Sequence, residues 1–218
     1  HDLTFAVNDS RPNIIDTVVF AKDFPDSRIS LGAWNKDMLA DAEVIIASPG
    51  VDLALPDIKG SISERCDVLG DIELYCRLKD TPILAVTGSN GKSTVVSLLA
   101  FLAKELGVDA QLGGNIGVPV LDKVAQEPEI LILELSSFQL ETLSSMKAEA
   151  ASILNISDDH LDRHKTISNY QAIKQNIYQY CQLAVVNRDD PLTLVNEKYA
   201  PKSLVSIGTD KPEPGHFG

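Results

Sequence analysis

The chain is 218 residues long, 44% hydrophobic and 23% charged, which excludes a disordered polymer and leaves room for two modest domains. Its 19 basic and 31 acidic residues leave a net charge of −12, which argues against a nucleic-acid partner, because phosphate backbones are gripped by basic surfaces. No apolar run is long enough to span a bilayer, the first residues lack the pattern of an export signal, and Cys66, Cys76 and Cys181 lack metal-ligand spacing, so a cytoplasmic protein with reduced, half-buried thiols is expected.

Strand-like and helix-like runs alternate, the pattern of an α/β protein with a mainly parallel sheet. Strands are expected at residues 3–7, 28–31 and 43–47, and after a break near Lys79-Asp80-Thr81-Pro82 at 82–87, 130–135, 151–156 and 183–187. The later ones are nearly continuous apolar runs, as in strands buried on both faces. A helix follows residue 91, with Val96, Leu99, Leu102, Ala103 and Leu106 at helical spacing and Gly107 placed to stop it. Another starts near Ser168, where Ser168 and Gln171 have capping-box spacing, and places Tyr170, Ile173, Ile177, Tyr180 and Cys181 on one face with Lys174 at its edge.

Between the apolar run 82–87 and the first of these helices lies Gly88-Ser89-Asn90-Gly91-Lys92-Ser93-Thr94. Glycines let backbone N–H groups converge on an anion, and the helix N-terminus adds partial positive charge. Lys92 can neutralise phosphate oxygens, and a Ser93 or Thr94 hydroxyl can ligate Mg²⁺. The alternative is a polar turn that happens to hold Gly and Lys. The general phosphate-loop pattern would place a glycine at Val86, so here the spacing is shortened to two residues between Gly88 and Gly91.

Downstream, Glu134 interrupts the apolar run 130–135 near its end, where open α/β sheets bind ligands, and a carboxylate there is costly unless paired or metal-bound. It leads into Glu134-Leu135-Ser136-Ser137-Phe138-Gln139-Leu140-Glu141, of which Glu141 better fits a water-exposed carboxylate. The next strand ends in Asn155-Ile156-Ser157-Asp158-Asp159-His160-Leu161-Asp162-Arg163-His164, whose oxygen ligands suit Mg²⁺, although in isolation it reads as an N-capping acidic loop with a surface His. Lys174, read alone, is a side chain with a packed stem and a wet amine. Two further strand-end loops are candidate ligand sites, Asp9-Ser10-Arg11 and Ser48-Pro49-Gly50, while the glycine-rich turn holding Asn115 reads by itself as a plain β–α connection.

The shortened glycine loop, the 134–141 stretch, the acidic loop and Lys174 together resemble the Mur ligase family and the related folylpolyglutamate synthases, and 134–141 resembles the D-glutamate-adding Mur ligases in particular. The resemblance implies an incomplete Rossmann-like N-terminal domain over residues 1–79 that binds a UDP-substrate, followed by a P-loop-type central ATP-binding domain over 80–218. It implies ATP-dependent addition of D-glutamate to UDP-N-acetylmuramoyl-L-alanine through an acyl-phosphate, in cytoplasmic peptidoglycan synthesis, by a monomer.

By resemblance, the loop from Gly88 to Thr94 holds ATP. Ser93 or Thr94 and Glu134 hold one Mg²⁺, and His160 with a carbamylated Lys174 holds a second. Asn115, Ser48 and Gly50 meet substrate phosphates, and Asp9, Ser10 and Arg11 the uracil. Gly70-Asp71-Ile72-Glu73-Leu74 matches the start of the interdomain hinge. The family's first strand and third domain are expected outside these residues, so the chain alone is expected to bind ATP without ligation. The competing readings are another ligase of the superfamily and a nucleotide-binding module without ligase chemistry, which would need no Glu134, His160 and Lys174 together.

Overall fold

The computed structural model describes residues 4–179 and 181–218, so Leu3 of the first expected strand and Tyr180 of the expected helix face lie outside the described residues. The chain forms two compact units, residues 1–45 with 51–68, and residues 46–50 with 69–218.

In the first unit β1 (Ala6–Asp9) pairs in parallel with β2 (Arg28–Leu31), linked by α1 (Thr17–Asp23), whose first amides are capped by the Asp16 carboxylate. No residue of α1 is buried, and Phe5, Phe20 and Phe24 meet edge to face or tilted. Next come α2 (Lys36–Asp41), capped by Asn35, β3 (Val44–Ile46), α3 (Pro56–Lys59) and β4 (Asp67–Leu69); β3 and β4 form a two-stranded sheet.

The second unit opens with α4 (Asp71–Leu78) and contains β5 (Ile83–Thr87), α5 (Lys92–Glu105), β6 (Ala110–Gly114), β7 (Ile130–Glu134), α6 (Ser137–Glu141), β8 (Ala148–Ile153), α7 (Leu161–His164), α8 (Ile167–Lys174), β9 (Leu183–Asn187) and β10 (Ser203–Ile207). Six strands lie in the order β10-β9-β8-β5-β7-β6, and every pair is parallel. The α/β class expected from the alternating pattern is therefore present. After β5 the chain crosses to β6 and returns to β7, then passes to β8 on the other side of β5. That reversal opens a crevice at the carboxyl ends of β5, β7 and β8, where such sheets bind ligands.

Both faces of the central strands are covered. Leu131 and Leu133 join a large core with Ile72, Tyr75, Leu140, Tyr170, Ile177 and Tyr178, while Ile132 and Val86 pack on the other face against Val96 of α5. This two-sided burial explains the unbroken apolar runs.

Several expectations need correction. The strand expected at 151–156 runs three residues earlier, because Ala148 and Ala151, small enough to lie flat, supply its buried face. The inner stripe of α5 is Val95, Val96, Leu99 and Ala100, and Leu102 and Leu106 are exposed, since continued steps of three and four drift off the buried face. The cap of α8 is Thr166, which accepts from Asn169 N, two residues before the expected Ser168. Cys181 is buried where Cys66 and Cys76 are partly so, and all three are free.

Candidate active site

The loop after β5 is shaped by its glycines. Gly91 sits at φ +82°, in the left-handed region, and passes the chain into α5. No side chain caps α5, so its first amides face the loop. The Lys92 ammonium curls back and donates to Gly88 O at 2.8 Å and Ser89 O at 3.0 Å. The loop is braced from outside by the stretch following β8. Ser89 N donates to Asn155 O and Asn90 N to Asn155 Oδ1. Ser89 Oγ in turn donates to Ser157 O at 3.1 Å and accepts from Ser157 N at 3.0 Å.

Glu134 ends β7 and is 2% exposed. Its carboxylate accepts from Ser93 Oγ at 2.8 Å and from Asn115 Nδ2 at 2.9 Å. These donors are neutral, and among the described residues no cationic side chain pairs with the carboxylate, an oxygen-rich arrangement that suits a hard divalent ion. Asn115 is held there because its N–H donates to Glu134 O at 2.8 Å. The approach is so close that a Cβ on Gly114, itself at φ +92°, would run into that oxygen. Of the two candidate hydroxyls, Ser93 reaches Glu134, while Thr94 lies exposed on the first turn of α5.

Lys174 is not at a wet rim: it is 1% exposed, and its ammonium donates to Thr87 Oγ1 and to Gly88 O, each at 3.1 Å. It also lies 4.6 Å over the Tyr170 ring. Burial, joined by the nearby Lys92 charge and opposed by Asp159, lowers its pKa to about 7. A large fraction of the amine is therefore neutral near pH 7, the form that can add CO₂. Thr87 Oγ1 in turn donates to Leu135 O at 2.7 Å, which ties the ends of β5 and β7 to α8.

His160 stands at the end of the acidic loop in the left-handed conformation, φ 49°. Its imidazole lies 3.6 Å from the Asp159 carboxylate and 5.1 Å from the Phe138 ring. Among the described residues no hydrogen bond or ion pair joins it to Glu134 or Lys174, and no group of three or more His, Cys, Asp or Glu side chains converges as a metal nest. The structure thus brings Ser93, Asn115 and Glu134 together, and Lys92 and Lys174 onto one carbonyl, that of Gly88.

In the first unit, Asp9 and Arg11 form a self-contained surface fork: Arg11 Nε and Nη2 and its main-chain N–H donate to the Asp9 carboxylate, which holds that carboxyl down to about 2. Ser10 is exposed beside it. Ser48 and Gly50 are exposed in the loop after β3.

Sequence reasoning passed over Thr87, Tyr170, Ser137 and His164, all buried beside these groups or in contact with them. One signal was available: Ser136 and Gln139 have capping-box spacing and do form that box at α6. Glu141, expected in water, accepts from Arg163 Nη2 at 2.6 Å.

A parallel sheet with a glycine loop feeding a helix, and a carboxylate at the neighbouring strand end, defines a nucleotide-binding α/β class, and comparison with known proteins narrows it. Residues 86–214 match the Mur ligase middle domain and residues 1–70 the Mur ligase MurD-like N-terminal domain. The chain belongs to the Mur ligase family. A UDP-N-acetylmuramoylalanine–D-glutamate ligase of Colwellia psychrerythraea is 51% identical over 236 aligned residues, covering 100% of this chain and 50% of the relative. One of Vibrio vulnificus is 45% identical, covering 88% of this chain and 44% of the relative. This chain spans about half the length of the curated relatives it matches.

Among solved structures, the UDP-N-acetylmuramate:L-alanyl-gamma-D-glutamyl-meso-diaminopimelate ligase of Neisseria meningitides superposes with a TM-score of 0.56 at 16% identity, over 93% of this chain and 69% of that one. MurF of Thermotoga maritima in complex with ADP gives 0.52 at 18% identity, over 80% of this chain and 49% of that one. At these identities the likeness concerns the fold.

Proposed function

We propose that the chain is the UDP-substrate and ATP-binding portion of a cytoplasmic, monomeric ligase that joins D-glutamate to UDP-N-acetylmuramoyl-L-alanine in peptidoglycan synthesis. Residues 1–79 serve the UDP-substrate, with Asp9, Ser10 and Arg11 toward the uracil and Ser48 and Gly50 toward the diphosphate. Residues 80–218 serve ATP. The observation that carries the reading is the buried Glu134 carboxylate, met by Ser93 and Asn115 at the mouth of the glycine loop.

In the reaction, the alanyl carboxylate attacks the γ-phosphorus of ATP, the bond to the β–γ bridging oxygen breaks, and ADP leaves. The D-glutamate amine then attacks the acyl-phosphate carbon, and phosphate departs. The N–H groups of residues 88–94 cradle the ATP phosphates, and Lys92 swings from its loop carbonyls to the transferring group, where its charge offsets the growing negative charge. Ser93 and Glu134 would hold one Mg²⁺, and His160 with Lys174 the other. Bound there, Mg²⁺ supplies Lewis-acid stabilisation at the phosphoryl oxygens. Asn115, anchored on Glu134, orients a substrate phosphate. Lys174 would join the metal ligands as a carbamate, formed when its neutral amine adds CO₂ and loses a proton, and the lowered pKa supports that step.

The test is phosphate release by the full-length enzyme with a panel of acceptors. D-glutamate with UDP-N-acetylmuramoyl-L-alanine should be required; a requirement for another amino acid or for a folate would overturn the assignment.

A further inference from the structure

The turn that carries His160 is strained and pinned. His160 (φ 49°) and Lys165 (φ 69°) are the two non-glycine residues with positive φ among those described, and they bracket the four-residue α7. Such a backbone conformation is strained for a residue with a side chain and persists where its surroundings over-determine it. The surroundings converge on His164, which is 1% exposed. Its Nε2 is 2.9 Å from Ser137 Oγ, and its Nδ1 is 3.5 Å from Glu141 Oε1. The ring stacks on Phe138 at 5.4 Å and 23°, and meets Tyr170 at 5.2 Å. Its main-chain N–H closes the turn on His160 O at 2.9 Å.

We propose that His164 is a positioning residue for His160, and that the hydrogen bond between Ser137 and His164 is the pin that sets where the His160 imidazole stands relative to Glu134. The inference rests on the reading of His160 as a metal ligand and goes beyond it. Ser137 lies three residues after Glu134, at the start of α6, so the pin runs from the strand end bearing one ligand to the turn bearing the other. Phe138 transmits it sideways, because the same ring touches His164 and His160. Arg163 adds a second tie, donating to Glu141 and lying 5.6 Å over Phe138. With Nδ1–H toward the Glu141 carboxylate, Nε2 accepts the Ser137 hydroxyl proton.

The experiment titrates Mn²⁺ into the chain saturated with ADP, read by electron paramagnetic resonance, for the wild type and for His160→Ala, His164→Phe, His164→Gln and Ser137→Ala. His164→Phe and Ser137→Ala should each weaken one class of Mn²⁺ site about 10-fold, the scale seen when a group that orients a metal ligand is removed. Metal-free ADP affinity should stay within twofold, and His164→Gln, which keeps an acceptor, should recover most of the loss. In the metal-free protein, the His160 Cα chemical shift, a reporter of positive φ, should move in Ser137→Ala. Should His164→Phe not fold, Ser137→Ala decides, since it deletes one hydroxyl. Wild-type Mn²⁺ binding in Ser137→Ala, with binding weakened in His160→Ala, overturns the pin. Unchanged binding in His160→Ala removes the ligand reading and the inference with it.

Discussion

The Lys174 ammonium lies 3.1 Å from the main-chain oxygen of Gly88, the same oxygen that accepts from Lys92 at 2.8 Å. Burial, then the neighbouring Lys92 charge, drives the Lys174 amine toward its neutral form. Its folded pKa, about 7, lies below the ordinary lysine value of 10.5. Between these values the unfolded chain binds a proton that the folded chain does not. Stability from this group therefore rises with pH across that window, and below it the full cost of burying the charge is felt. Urea unfolding from pH 6 to 10 should show this rise, and Lys174→Met should flatten it. An equal slope in the variant would rule Lys174 out as its source.

The same neutral amine should take up CO₂. With ¹³C-bicarbonate, a carbamate carbon signal should grow as pH rises through about 7 and vanish in Lys174→Met. A signal that persists in the variant would place the carbamate elsewhere.

Glu134→Gln keeps the shape of the side chain and removes a buried charge met by neutral donors. Without metal, melting temperature should hold or rise slightly, because the desolvation cost of the charge is gone. With Mg²⁺ and ADP, the extra stabilisation brought by Mg²⁺ should disappear. Thermal melts in EDTA and in Mg²⁺ test both halves, and an undiminished Mg²⁺ effect would contradict the ligand role.

Glu73, in the stretch resembling the hinge, is buried and accepts from Ser144 N, Ser144 Oγ, Ser145 N and Arg77 Nε. Burial alone would raise its pKa. The Ser144, Arg77 and Ser145 hydrogen bonds outweigh it and hold the carboxyl at about 2. This group therefore stabilises the fold above the ordinary value of 4.5, and the contribution is lost as pH falls toward 2. Glu73→Ala should cost about 3 kcal/mol at neutral pH, since it removes a buried acceptor of four hydrogen bonds, one of them an ion pair with Arg77. A loss under 1 kcal/mol in urea unfolding would count against this account.

Gly114→Ala should destabilise by about 2–4 kcal/mol, because it combines a left-handed backbone with a collision at the Glu134 carbonyl. Relief of the collision would shift Asn115, so Mg²⁺ dependence should weaken as well. Wild-type melting would refute it.

Much of this was readable from residue pattern. The apolar runs at β5, β7 and β9 stood out because strands buried on both faces need no alternation, and Gly91-Lys92-Ser93 announced the loop. The strands β4, β6 and β10 did not. Ala110–Gly114 holds two glycines and a glutamine, and it becomes a strand only because β7 lies beside it. The proximity of Ser93 to Glu134, 41 residues apart, was implied by family resemblance alone. The burial of Lys174 and His164 was hidden because polar residues read as surface, and only packing against Tyr170 encloses them.

The bracing of the glycine loop by Asn155 and Ser157 has an entropic consequence. A loop already fixed by four hydrogen bonds to a neighbouring strand end has surrendered its backbone freedom during folding. Nucleotide binding then orders little main chain beyond the Lys92 side chain, so most of its intrinsic contact energy is left to appear as affinity.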